Sequence, residues 1–426
     1  PGISSKILLY HMGSIKKYSS KKARIVGANF GKIAQKNKVI ELNITILEEM
    51  NEFLQELLEG ILLTQYKPDK FKTKKKKTEK NELERINLIA EKKTKKFGKA
   101  IEKADLIAIG VDYIKDLVNK PSNVIDGEYL AGEARRIAKS NRYKVLDLKE
   151  KDLKKMKWGG LLAVNQGAEK EAKCIILEHN GGPKKERPIV IVGKGVIFDS
   201  GGYNIKPTKY IETMHQDMGG AAIVMGLFEV MKDLGIKKNV IGVMPIAENL
   251  VSDRAYRPSD VITMYSGKTV EITNTDAEGR LILADAMTYA AKFKPESIIT
   301  IATLTGAVSV ATGCRYSGLI GNDIKLRRSL QKAGKKVDDL GWPLPLHQDY
   351  KKKMNSEIAD IRNCDIGSSS DAGSSKGAAF LERFIEKNKW CHIDIGGTAF
   401  TSDPKPYQTK GATAHGFRML LEYLSS

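Results

Sequence analysis

Long apolar runs are missing from this sequence: nothing approaches the ~18 consecutive hydrophobic residues of a membrane-spanning helix, which excludes an integral helical membrane protein. Cysteine is scarce. Cys174, Cys314, Cys364 and Cys391 are scattered through 426 residues without a C-x-x-C pair, which excludes a dense disulfide framework and leaves reduced, packing thiols of a cytoplasmic protein as the reading. The N-terminus has neither a charged segment followed by an apolar core nor a Met at position 1. That argues against a signal peptide and leads us to expect a processed or shortened start. The phosphate-loop pattern G-x-x-x-x-G-K-[ST] is absent. Only His11 and His179 precede Ser200, neither in a recognisable context, so Phe198-Asp199-Ser200-Gly201-Gly202 does not read as a serine nucleophile with its base.

What is present is charge and length. A domain takes ~150 residues on average, so the chain has room for two or three, and 41% hydrophobic residues suffice for a core. Net charge is +20, with the densest excess between Lys67 and Lys103, where Lys74 to Lys77, Lys92-Lys93 and Lys95-Lys96 mix with Glu82, Glu84 and Glu91. Such a run can bind nucleic acid by displacing counterions from phosphate. Lysine is spread along the whole chain, however, and no aromatic residues alternate with the run to stack on bases. A solvated face is the favoured reading, with nucleic acid as the alternative.

Periodicity predicts helices over 23–35 and 54–62, strands over 39–47 and 83–90, and a long helix over 99–118 that stops before Lys120-Pro121. Beyond it, helices (129–140, 219–234, 281–293) alternate with short apolar strands (143–148, 173–178, 188–192, 240–247, 297–303). This is the pattern of an α/β domain with a central sheet covered by helices on both faces. We divide the chain into a small, Lys-rich N-terminal α/β domain (1–105), a connecting helix (106–122) and a larger α/β domain (123–426) that carries the motifs below.

Chemistry gathers at three predicted strand or helix ends, where α/β sites lie. Asn274-Thr275-Asp276-Ala277-Glu278-Gly279-Arg280-Leu281 joins a short strand to a helix, and an extended backbone would point Asp276, Glu278 and Arg280 to one side. Val192-Gly193-Lys194-Gly195 leads to Asp199 and Lys206, the glycines marking a close backbone approach. In Met214-His215-Gln216-Asp217-Met218-Gly219, Asp217 stands before a helix, where it could also be an N-cap; His215 reads as a neighbour. Four carboxylates crowded together call for a cation or a proton, and divalent metal is the usual solution in a hydrolytic site.

These motifs, with Ala255-Tyr256-Arg257-Pro258, Ser266-Gly267-Lys268-Thr269, Ala302 to Ala307, Trp342 to Leu346 and Gly411-Ala412-Thr413 with Gly416, resemble the leucyl (cytosol) aminopeptidases from about residue 60 to the end. The resemblance implies a two-metal exopeptidase that releases N-terminal leucine and other apolar residues from peptides. It places Lys194, Asp199, Asp217, Asp276 and Glu278 on two divalent ions (manganese, zinc or magnesium), with Asp199 and Glu278 bridging. It also assigns Lys206 to the oxyanion, Arg280 to a bicarbonate acting as general base, and Met214, Thr303 and Gly306 to the pocket for the first side chain. A homohexamer is implied, as is a longer N-terminal domain whose first strands we expect to be reduced or missing here. Some relatives double as DNA-binding regulators. A dead scaffold is disfavoured because all seven chemical positions hold the expected residue types, and a two-carboxylate glycosidase would have no use for Lys194.

Overall fold

The computed structural model describes residues 18–68, 71–73, 83–90, 95–366 and 371–426. Lys74 to Lys77 and Lys92-Lys93, the centre of the basic run, lie outside them. The chain forms two compact units, Pro1–Ala108 with Pro404–Thr409, and Ile109–Asp403 with Lys410–Ser426. Among the described residues no helix is long and apolar enough to cross a membrane.

In the first unit, α1 (Ser20–Lys36), β1 (Glu41–Thr45), α2 (Leu54–Leu63) and β2 (Arg85–Ile89) precede α3 (Lys95–Val118), which continues into the second unit. Strands β1 and β2 pair in parallel. Helices α1 and α2 touch backbone to backbone at Gly27 and Gly60: a Cβ on Gly27 would stand 1.9 Å from the Leu57 carbonyl oxygen. Val26, Leu54, Leu57 and Ile61 close the core there.

The second unit is built on a nine-stranded mixed sheet. Among its elements, in chain order, are α4 (Gly127–Asn141), β3 (Lys144–Leu148), α5 (Gly159–Asn165), β4 (Lys173–Asn180), β5 (Ile189–Gly193), β6 (Gly195–Asp199), α6 (Gly219–Val230), β7 (Asn239–Asn249), α7 (Gly279–Ala290), β8 (Ser297–Ala302), β9 (Ser317–Gly321), β10 (Gly341–Pro343), α8 (Gly373–Glu382), β11 (Trp390–Asp394) and α9 (Phe417–Leu424). The strand order is β10-β9-β11-β8-β5-β7-β4-β3, with β6 also on β7. Its centre, β11-β8-β5-β7, is parallel, while β4 and β3 are antiparallel additions at one side.

Alternation along the central strands assigns each face. Val190, Val192, Ile241 and Val243 join the core that contains α7, whereas Gly193 and Gly242 turn the other way, and a Cβ on either would collide with Val224 of α6. Burial on both faces explains why these strands read as unbroken apolar runs. Because β5, β7 and β8 are parallel, their C-terminal ends open at one edge of the sheet, and α6 and α7 begin beside that edge.

Asp285, wholly buried on α7, accepts N–H bonds from Leu161 (3.0 Å) and Tyr265 (2.8 Å) and so fastens α5 and the turn after Met264. Burial, opposed by those N–H groups, pushes its carboxyl up to about 7. The native state therefore keeps a proton that the unfolded chain releases between pH ~4 and ~7, and stability from this group falls as pH rises through that window. Urea unfolding of wild type and Asp285→Asn from pH 4 to 8 is expected to show that decline in wild type and a flatter profile in the variant.

Candidate metal centre

The close packing of backbone at the strand ends builds the site. Gly193 ends β5 and Gly220 lies in the first turn of α6; a Cβ on Gly220 would stand 2.2 Å from the Ile301 carbonyl oxygen of β8, and one on Gly193 2.5 Å from the Gly220 carbonyl oxygen. Lys194, between β5 and β6, donates its backbone N–H to Ile301 (3.1 Å) and accepts from Ala221 (2.8 Å), so its main chain is pinned from both sides. Its side chain crosses Gly279, where a Cβ would meet Lys194 Nζ at 2.7 Å. Only glycine at position 279 leaves room for the lysine.

The charges interlock in two groups. Lys194 Nζ lies 2.7 Å from Asp217 Oδ2 and 2.7 Å from Glu278 Oε1, and donates to the Thr303 carbonyl at 3.1 Å. Lys206 Nζ lies 2.8 Å from Asp199 Oδ2 and 2.5 Å from Asp276 Oδ1. Asp199, Asp276 and Glu278 each bring an oxygen within 4.8 Å of the others. Lys194, Asp199, Asp217 and Glu278 are buried; Asp276 and Lys206 are partly exposed.

Titration follows from this crowding. Burial, with repulsion from Glu278 and Asp199, pushes Asp217 up to about 8 despite Lys194, and burial beside Asp199 pushes Asp276 up to about 6. Asp199 is raised for the same reasons. Burial would also raise Glu278, but Lys194 and Lys206 outweigh it and draw this carboxyl down. Against the desolvation that favours a neutral amine, the surrounding carboxylates hold both lysines charged and above their ordinary range.

The sequence-predicted residues meet here, though not by the expected geometry. Asp276 and Glu278 do not lie on an extended segment. Asp276 sits in a turn closed by Asn274 Oδ1, which accepts its N–H at 2.8 Å, and Glu278 is already in the right-handed helical region as α7 begins. A turn followed by a helical start gathers the two carboxylates where a strand's alternation would have aimed them. Arg280 makes no ion pair with these carboxylates: its Nη1 donates to the Asn363 carbonyl at 2.8 Å, and its buried Nε has no hydrogen-bond partner among the described residues. Asp217 is not an N-cap, since α6 starts without a side-chain cap and Asp217 Oδ1 instead accepts the Thr303 hydroxyl at 2.5 Å. His215 packs edge-on against Phe400. The Ser200 hydroxyl donates to the Asn249 carbonyl at 2.8 Å.

Met214 opens the short helical turn that carries Asp217, Thr303 follows β8, and Gly306 faces open space. Sequence reading missed the amides behind the carboxylates. Asn249 Nδ2 donates to Asp199 Oδ1 (2.7 Å) and to the Thr275 carbonyl (3.0 Å), and Tyr256 adds its hydroxyl to that carbonyl at 2.8 Å. Asn363 Oδ1 accepts from Thr273 N (2.8 Å), and its Nδ2 donates to Asn274 O (2.6 Å). A polar residue closing the apolar run of β7 was the available signal for Asn249; Asn363 had none.

The donor set fits divalent cations. Asp217 Oδ2, Asp276 Oδ1 and Glu278 Oε1 are buried, and although each is near an ammonium group, none accepts a hydrogen bond of proper direction. Carboxylate oxygens with lone pairs left over and one primary amine, without Cys or His, suit hard or borderline dications. Lys194 can offer a lone pair only after losing the proton its neighbours now hold in place.

Residues 112–421 match the family described as the cytosol aminopeptidase family, catalytic domain. The chain is 43% identical over 366 residues to a probable cytosol aminopeptidase of Geobacter sp. (strain M21), covering 86% of this chain and 74% of that protein. It is 38% identical over 428 residues to the probable cytosol aminopeptidase of Syntrophotalea carbinolica, covering 99% and 86%, and 38% identical over 434 residues to that of Nitrosococcus oceani, covering 100% and 85%.

Replacing Lys194 by Met strands two buried carboxylates without their shared cation. In metal-free protein at pH 8, urea unfolding is expected to show Lys194→Met destabilised by about 3–5 kcal/mol.

Proposed function

The chain belongs to the cytosol aminopeptidase family and is by that membership an aminopeptidase, a hydrolase acting on peptides; from this premise we propose how its own residues carry out the reaction. The observation that carries the reading is the group of Asp199, Asp276 and Glu278, buried but for the partly exposed Asp276 and joined by Asp217 and Lys194, whose leftover lone pairs suit two divalent ions. Those five residues would hold the ions, manganese, zinc or magnesium, within a catalytic domain at 123–426. Paired dications supply acidification of a shared water and polarisation of the scissile carbonyl.

The remaining work falls to the chain. Lys206, kept charged by Asp199 and Asp276, directs an ammonium to the oxygen that becomes negative as the carbonyl turns tetrahedral. Arg280 is anchored through Nη1, which fixes the plane of the guanidinium and leaves a planar fork for bicarbonate, the proposed general base. Met214, Thr303 and Gly306 line the pocket for the first side chain, and an apolar lining favours leucine. We assign the protein to the cytoplasm as a homohexamer; light scattering that shows a stable, active monomer would overturn the assembly.

The test is hydrolysis of leucine amide by chelator-stripped protein with manganese or zinc added back. Activity is expected to return in wild type and not in Asp276→Ala, and Lys206→Ala should lower kcat by about 100-fold or more. No activity with any metal in an intact oligomer would refute the mechanism.

A further inference from the structure

Beside the metal centre lies a buried carboxylate that the mechanism does not use. Asp394, the last residue of β11, is wholly excluded from solvent, and among the described residues no ion pair balances it. Its bonds come from neutral donors. Oδ1 accepts the backbone N–H groups of Leu304 (3.2 Å), Thr305 (3.3 Å) and Gly396 (3.1 Å), while Oδ2 accepts the Thr305 hydroxyl at 2.6 Å. With that hydroxyl proton committed, the Ser374 hydroxyl, 2.7 Å away, donates to Thr305 Oγ1 in turn.

The segment so held is the turn that leaves β8, Thr303 to Gly306. On its other side the same turn is held by the metal centre, since the Thr303 carbonyl accepts from Lys194 Nζ and its hydroxyl donates to Asp217. The turn is therefore strung between Lys194 at the end of β5 and Asp394 at the end of β11, the two strands that flank β8. Glycines let the chain after β11 close on it: a Cβ on Gly396 would meet the Thr305 carbonyl oxygen at 2.3 Å, and one on Gly397 would meet Ser309 Cβ at 2.9 Å. Backbone lies on backbone at Gly396, Leu304 packs against the core, and Asp394 gathers the N–H groups of Leu304 and Thr305 on one oxygen. A buried carboxylate without a counter-charge is costly, and four donors converging on it are what offset that cost.

We propose that Asp394 is the positioning residue of the side-chain pocket, fixing the wall formed by Thr303 and Gly306 through Leu304 and Thr305, so that it sets discrimination among N-terminal residues without touching substrate or metal. The inference rests on the assignment of Thr303 and Gly306 to that pocket.

The test compares Asp394→Asn, Thr305→Val and Thr305→Ser, each metal-loaded, on leucine amide and alanine amide. Asparagine keeps an oxygen for the N–H groups but cannot accept the Thr305 hydroxyl, valine removes the hydroxyl, and serine keeps it. The leucine-over-alanine ratio of kcat/KM is expected to fall about tenfold in Asp394→Asn and Thr305→Val, chiefly through the KM for leucine amide, and to stay at the wild-type value in Thr305→Ser. Equal losses on both amides, or an unchanged ratio in Thr305→Val, would mean a merely structural role and overturn the inference alone. If Asp394→Asn does not fold, the valine and serine pair decides by the same ratio. A wild type with no preference between the amides would overturn the pocket assignment as well.

Discussion

Too much negative charge in too little water is the condition to which the rest of this structure answers. Asp199, Asp217, Asp276 and Glu278 face only Lys194 and Lys206 across the cluster. In bulk solvent such a group would fly apart or take up protons; buried, each carboxylate is held by its chain and can relieve the repulsion only by protonation or by a cation. The upward shifts at Asp199, Asp217 and Asp276 record that strain in the metal-free chain. Divalent metal would relieve it, so the same excess that costs stability without metal would favour metal binding.

Holding the charges together requires rigid backbone, and the sheet provides it in an economical way. Glycines 193, 220 and 279 remove side chains wherever the strand ends, the start of α6 and the start of α7 must meet. Amides from Asn249 and Asn363 then tie Asp199, at the end of β6, and the turn carrying Asp276 in place. An amide suits that task because it donates and accepts without adding charge to a place already short of balance.

Much of this was legible in the sequence because it depends on local pattern. The runs that became β4, β5, β7 and β8 were bounded by turn residues and mostly apolar between them, and the helical spacing after Gly279 marked α7. Asp276 and Glu278 could be named together since eight consecutive residues carry them, although the turn that gathers them was misread as extended chain. What stayed hidden is nonlocal. Asn363 works on a loop about 90 positions earlier, and Asp394 on one equally distant. No spacing rule links residues joined only by neighbouring strands, and a lone Asn or an Asp at the end of an apolar strand looks like any polar boundary.

The strand order carries a consequence for the making of the protein. β8 lies between β5, made long before it, and β11, made long after. During synthesis the carboxylates and Lys194 emerge first, while the turn beside them lacks its hydrogen bonds to Asp394 until that residue has left the ribosome and β11 has docked. The nascent chain thus carries the acidic residues of a peptidase before the turn beside them is held from both sides, an arrangement that belongs to the docked sheet and not to its earlier strands.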